Sequence, residues 1–153
     1  MRLNARTDAG KNRTSRMSLA NGKSDQPLVL ILENDQLTGE GLALLVRDAG
    51  YEPAIFKSLV EANESMIAVT TVSAIISDFD LDQGPNGVEA AQELRAQREP
   101  QPPVLIVTGT RHRRVEAAAR AAGFEISSKP APPSFLRRWL AQNTARHTPT
   151  PLP

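Results

Sequence analysis

The sequence contains no cysteine, which excludes disulfides, thiolate metal sites and a thiol nucleophile together. Histidine is scarce: His112 and His147 are too few and too far apart for a zinc constellation. Long hydrophobic runs are missing, since stretches such as Leu28–Leu32 fall far short of a membrane span. There is no excess of charge of one sign. A formal net charge of +1 gives no global field to draw in nucleic acid or a membrane surface. The opening residues, MRLNARTDAGKNRTSRMSLANGKSDQP, have no apolar centre between their charges and do not read as a secretory signal. A soluble cytoplasmic protein without nucleic-acid or membrane partners is the expectation.

What is present suits one domain with a margin at each end: 153 residues, 40% of them apolar. Residues 1–27 carry six Lys/Arg against two Asp, with Asn, Ser, Thr and Gly filling most of the rest. Such a stretch cannot bury enough apolar surface to offset its ordering entropy and reads as a disordered basic tail. Its Arg content and few acids also suit a transit peptide, but no amphipathic stripe runs through it. Residues 145–153 form a Pro/Thr-rich C-terminal tail. The folded unit is expected over residues 28–144.

Within that unit the pattern alternates. Leu28–Leu32 is short and wholly apolar, as in a strand covered on both faces. Gln36–Ala49 is expected as a helix with Leu37, Leu42, Leu45 and Val46 at helical spacing, stopped by Gly50. Pro53–Phe56 reads as a weaker strand at an edge, and Ser58–Val69 as a short helix capped by Ser58. Ser73–Ile76 is the third strand. Gly87–Gln97 (helix), Val104–Val107 (strand), Arg113–Ala122 (helix), Phe124–Ser128 (strand) and Ser134–Gln142 (helix) complete the series. Five strands alternating with helices imply parallel pairing in a doubly wound α/β sheet.

Ligands of such sheets bind beyond the carboxyl ends of the strands, near the point where strand order reverses. Polar groups fall at those ends. Glu33-Asn34-Asp35 follows the first strand, Ser77-Asp78-Phe79-Asp80 the third, Thr108-Gly109-Thr110 the fourth and Lys129-Pro130 the fifth. A carboxylate that accepts a phosphoryl group needs a divalent cation, a fixed ammonium and a hydroxyl or N–H donor around the transferred oxygens. Glu33, Asn34, Asp78 and a backbone carbonyl just after it could hold Mg2+, a hard cation that prefers oxygen donors. Lys129 would bring the ammonium and Thr108 the hydroxyl. Each residue alone has a plainer role: Asp78 as a loop start, Thr108-Gly109 as turn chemistry, Lys129 as a solvated side chain, Glu33 and Asp35 as helix caps. Their arrival at four strand ends of one sheet favours the joint function.

The blocks LVLILENDQLTGEGLALLVRDAGYEP, SAIISDFDLDQGPNGVEAAQELR, PPVLIVTGT and GFEISSKPAPPSFLRRWL resemble the response-regulator receiver family of two-component systems, over about residues 28–141. The SDFDLDQGPNGVEA and SSKPAPPSFLR segments are most similar to receivers fused to hybrid sensor kinases. The resemblance implies a flavodoxin-like five-stranded parallel sheet of order 2-1-3-4-5 with helices on both faces. It implies Asp78 as phosphoacceptor, supplied by a phosphohistidine on a histidine kinase or histidine phosphotransfer protein. Glu33 and Asn34 match the acidic pair that holds Mg2+, and the backbone carbonyl of Asp80 matches a third protein ligand. Thr108 matches the switch hydroxyl, and Lys129 the lysine whose bond to proline is typically cis. Phosphorylation would bias a two-state surface around strands four and five and the helix near Arg113, read by a downstream protein target. A signalling module is implied, not an enzyme; a homodimer is left open.

Two positions depart from the family. Asn34 stands where a metal-binding Asp is usual, so metal affinity should fall, with Glu33 and Asp35 as partial compensation. Ile126 replaces the usual switch aromatic, which implies altered output. Asp80 and Thr110 sit where the family tunes phosphoryl lifetime. His112-Arg113-Arg114 reads as a solvated helix start, with a partner-facing basic patch as the alternative. No output domain is expected after Lys129. A haloacid-dehalogenase-type phosphatase shares Asp-x-Asp, Thr and Lys, but its nucleophile strand comes first and acids follow its lysine. Here residues 130–153 contain no Asp or Glu. A pseudo-receiver working without phosphate is the remaining alternative, favoured by Asn34 alone.

Overall fold

The computed structural model describes residues 26–65, 71–109 and 113–144. The tail expectations fall almost wholly outside them, as do Thr110, His112 and residues 66–69 of the expected helix Ser58–Val69, which in the structure ends at Glu64 with Ser65 as an extended C-cap. The described chain runs β1 (Leu28–Leu32), α1 (Gln36–Asp48), β2 (Glu52–Phe56), α2 (Leu59–Glu64), β3 (Ala74–Asp78), α3 (Gly87–Ala96), β4 (Val104–Thr108), α4 (Arg113–Ala122), β5 (Glu125–Ser128), α5 (Pro133–Thr144). The five strands form one parallel sheet in the order β2-β1-β3-β4-β5. That is a flavodoxin-like doubly wound fold, and the strand order reverses between β1 and β3.

Alternation along the strands divides the core in two. Leu30, Leu32, Ile75 and Ile106 pack with α2, α3 and α4 residues such as Ala62, Leu94 and Val115. Val29, Ile31, Ile76, Leu105 and Val107 pack with Leu42 and Val46 of α1 and Leu136, Trp139 and Leu140 of α5. The central strands β3 and β4 are buried at every position, their apolar stretches and their polar carboxyl ends Ser77, Asp78 and Thr108 alike. β2 is the half-exposed edge that Pro53 suggests.

Differences from the expected elements have local causes. Leu37, expected on the buried stripe of α1, is 79% exposed. The buried stripe is Gly39, Leu42, Ala43 and Val46, and Leu37 precedes Leu42 by five residues, about 140° round the helix. β3 continues to Asp78, because Phe79 N–H still donates to Val107 O at 3.3 Å. Phe124 lies before β5, its N–H closing α4 on Ala119 O at 2.9 Å. α5 runs on to Thr144, whose Oγ1 lies 2.6 Å from Leu140 O and 2.6 Å from the Tyr51 hydroxyl.

Candidate functional site

The sheet register brings the polar strand ends to one rim. Leu32 is level with Ser77, Asp78 with Val107, and Thr108 with Ser128. Glu33 therefore lies one step past β1, Asp78 at the last position of β3, Thr108 at the last of β4, and Lys129 one step past β5. Lys129 N–H donates to Thr108 O at 2.9 Å, fixing the start of the final loop, and the Lys129–Pro130 bond is cis.

Lys129 reaches inward across the rim. Its Nζ donates to Glu33 Oε2 at 2.8 Å and pairs with Asp78 Oδ2 at 2.9 Å. Glu33 and Asp78 are 2% and 6% exposed, so one ammonium serves two buried carboxylates. With both ionised the trio carries a net negative charge, an expensive arrangement in low dielectric unless further positive charge arrives. The electrostatics reflect this. Burial pushes the Glu33 carboxyl above its usual value, against the pull of the Lys129 bond, and the charge on Asp78 adds to the push. Burial works to lower the Lys129 ammonium, yet its bonds to Glu33 and Asp78 prevail and hold it above its usual value.

The remaining carboxylate oxygens are oriented by the backbone. Asp35 N–H donates to Glu33 Oε1 at 3.1 Å, and Asp80 N–H to Asp78 Oδ1 at 3.2 Å. Asp35 itself is the N-cap of α1: its Oδ1 accepts from Thr38 N and Thr38 Oγ1, both at 2.8 Å, which holds its carboxyl below the usual range. That carboxylate is exposed and spent on the cap, so the compensation expected from Asp35 at a metal is not where its side chain is engaged. Asn34 is half-buried between these two acids, and Thr108 is fully buried. Asp80 is exposed.

Among the described residues no three His, Cys, Asp or Glu side chains cluster as a metal site. The donors on offer are two carboxylates, the Asn34 amide and backbone carbonyls of the following loop. That all-oxygen set fits a hard cation that keeps several waters, and does not fit zinc. Two further residues, named in the sequence only as a strand-end serine and a helix start, shape the rim. Ser77 Oγ lies 3.1 Å from both Asp78 O and Gly87 O, and Gly87 packs so closely that a Cβ would stand 1.7 Å from Asp78 O. The signal open to a reader of the sequence is a serine interrupting an apolar strand beside the acid, and a glycine opening the next helix.

An open doubly wound sheet with buried carboxylates and an ammonium at its switch point is a site class that handles charged groups. The family model of the response regulator receiver domain matches residues 29–140, and the chain belongs to that family of two-component signalling modules. Solved structures agree. A Chloroflexus aurantiacus protein taken to be a response regulator is 28% identical, with a TM-score of 0.69 over 79% of this chain and 99% of that one. A CheY-like receiver domain protein from Methanospirillum hungatei is 20% identical, with a TM-score of 0.68 over 79% and 95%. Vibrio cholerae chemotaxis protein CheY4 is 22% identical, with a TM-score of 0.66 over 77% and 98%. The last two share the fold. No helix among the described residues is long and apolar enough to cross a membrane.

Proposed function

We propose that this receiver accepts a phosphoryl group on Asp78 from a phosphohistidine of a histidine kinase or histidine phosphotransfer protein, and that the acylphosphate changes how the domain meets a downstream protein. The observation that carries the reading is the Lys129 ammonium, held 2.8 Å from Glu33 and 2.9 Å from Asp78 by residues from three different strand ends. An Asp78 oxygen attacks phosphorus, the P–N bond breaks, and the imidazole keeps the electron pair and takes a proton. Glu33, Asn34, Asp78 and the Asp80 carbonyl are the proposed holders of Mg2+, which would shield the incoming oxygens from the carboxylates. Lys129 contributes a charge that need not reorganise, since it already sits on Asp78. Thr108 is the proposed hydroxyl donor to the transferred group. The cytoplasm, where such donors act, is the proposed location.

Asn34 supports a second reading, a pseudo-receiver that works without phosphate, because it removes one anionic metal ligand. The two readings separate on incubation with Mg2+ and a small phosphodonor, followed by intact-mass measurement. One acid-stable, base-labile phosphoryl adduct, absent from Asp78→Asn, is expected. Asn34→Asp should tighten Mg2+ binding about tenfold, the order expected for one added anionic ligand. Wild-type protein that takes no adduct at any Mg2+ concentration belongs to the pseudo-receiver reading.

A further inference from the structure

Ser77 sits in β3 after Ala74, Ile75 and Ile76, and it is fully buried. A hydroxyl in such a place costs free energy unless bonded. Its Oγ lies 3.1 Å from Asp78 O and 3.1 Å from Gly87 O, so one proton is shared between two carbonyls that would otherwise repel. Gly87, the first residue of α3, donates its N–H to Phe79 O at 2.8 Å. A Cβ at Gly87 would stand 1.7 Å from Asp78 O and 2.8 Å from Ser77 Oγ. The start of α3 is thus laid directly on the peptide that follows Asp78, with the serine hydroxyl joining the two. The loop between them carries Asp80, whose N–H reaches back to Asp78 Oδ1 at 3.2 Å.

We propose that Ser77 is a positioning residue for the phosphoacceptor: its hydroxyl clamps the Asp78 and Gly87 carbonyls together and thereby fixes the turn from Asp78 to Asp80. Ser77 acts through that turn, setting the orientation of the Asp78 carboxylate and of the proposed Asp80 carbonyl ligand. The inference rests on Asp78 being the phosphoacceptor. Ser127 is a natural control, also buried, with its Oγ bonded to the adjacent Ser128 carbonyl at 3.4 Å, a weak contact that joins no second element.

The test uses the full chain, isotopically labelled, as wild type, Ser77→Ala, Ser77→Cys and Ser127→Ala. Three quantities are read: the Asp80 amide shift and exchange rate without metal, the Mg2+ dissociation constant, and the thermal midpoint. Ser77→Ala should move the Asp80 amide, speed its exchange several-fold and weaken Mg2+ about tenfold, as loss of an outer-shell partner does. Ser77→Cys, which keeps a weak donor, should fall between, and Ser127→Ala should leave Asp80 and Mg2+ unchanged. If Ser77→Ala lowers the midpoint while Asp80 and Mg2+ binding stay as in wild type, the hydroxyl only satisfies the core and the proposal is overturned. If Ser77→Ala does not fold, Ser77→Cys decides on the same readouts. Failure of wild-type protein to bind Mg2+ would count against the phosphoacceptor reading, while the metal-free Asp80 amide would still accept or reject the clamp.

Discussion

At the amino rim of the sheet, Gly50 and Gly123 close α1 and α4 with φ of +94° and +76°, and a Cβ on either would meet open space. At the carboxyl rim, Gly87 has no positive φ, and a Cβ there would collide with the backbone of Asp78. The polar groups differ in the same way. Tyr51 and Thr144 at the amino rim pair through their hydroxyls at 2.6 Å, and Thr144 Oγ1 also donates to Leu140 O, whereas at the carboxyl rim two buried carboxylates share one ammonium. The first rim ends α1 and α4 by backbone conformation and pairs two hydroxyls. The second is packed to hold a fixed shape around uncompensated charge, which suits a place where a cation and an anion come and go.

The contrast breaks hardest at the glycines. Gly87→Ala must push the Asp78–Phe79 peptide away from α3, and should cost about 4 kcal/mol or more, in the range of severe backbone clashes. Gly50→Ala meets no atom and suffers only from its left-handed φ, about 1 kcal/mol. Urea unfolding of both variants measures the difference; equal costs would show that the carboxyl rim is no tighter than the other. Next in size is Lys129→Met. It strands Glu33 and Asp78 without a counter-charge and should cost about 3 kcal/mol at pH 7, the low end for breaking a buried pair. The cost should shrink as pH falls, because burial already raises the Glu33 carboxyl and favours its taking up a proton. A cost independent of pH would mean that Glu33 is not the strained member.

How much of this is visible in the sequence follows from the range of each interaction. The strand Leu28–Leu32 and the helix Arg113–Ala122 lie where local pattern places them, since uniform apolar runs and helical spacing are short-range signals. The sheet-end rule singles out Glu33, Asp78, Thr108 and Lys129, because parallel topology sends every strand's carboxyl end to one rim. The bond from Lys129 to Glu33 spans 96 residues, and no local pattern encodes it. Leu37 is misplaced by periodicity, which names a stripe only when every apolar residue belongs to it. Ser77 and Gly87 escape because their role depends on how closely α3 approaches β3, a distance that composition does not carry.

The smallest predicted effect separates two carboxylates two residues apart in the chain. Glu33 is raised above its usual value chiefly by burial, so the metal-free folded state binds its proton more tightly than the unfolded chain. Unfolding free energy contributed by Glu33 is therefore fully present in acid, below about pH 4.5, and is lost as pH rises through the raised folded value. Asp35 is lowered by the Thr38 N–H and hydroxyl, so its contribution is present above the usual Asp value and is lost as pH falls through the depressed one. In chelator, Glu33→Gln should remove the downward slope above about pH 4.5 and leave the protein slightly more stable than wild type at pH 7. The gain stays small because the amide still accepts from Lys129 while no longer carrying a buried charge. Asp35→Asn, which keeps a capping oxygen, should leave that slope untouched and change only the acid limb. Adding Mg2+ should reverse the order of Glu33→Gln and wild type at pH 7, because the cation rewards the same carboxylate that burial penalises. Unchanged order in Mg2+ would mean that Glu33 serves Lys129 and the Asp35 N–H at the rim but not the metal.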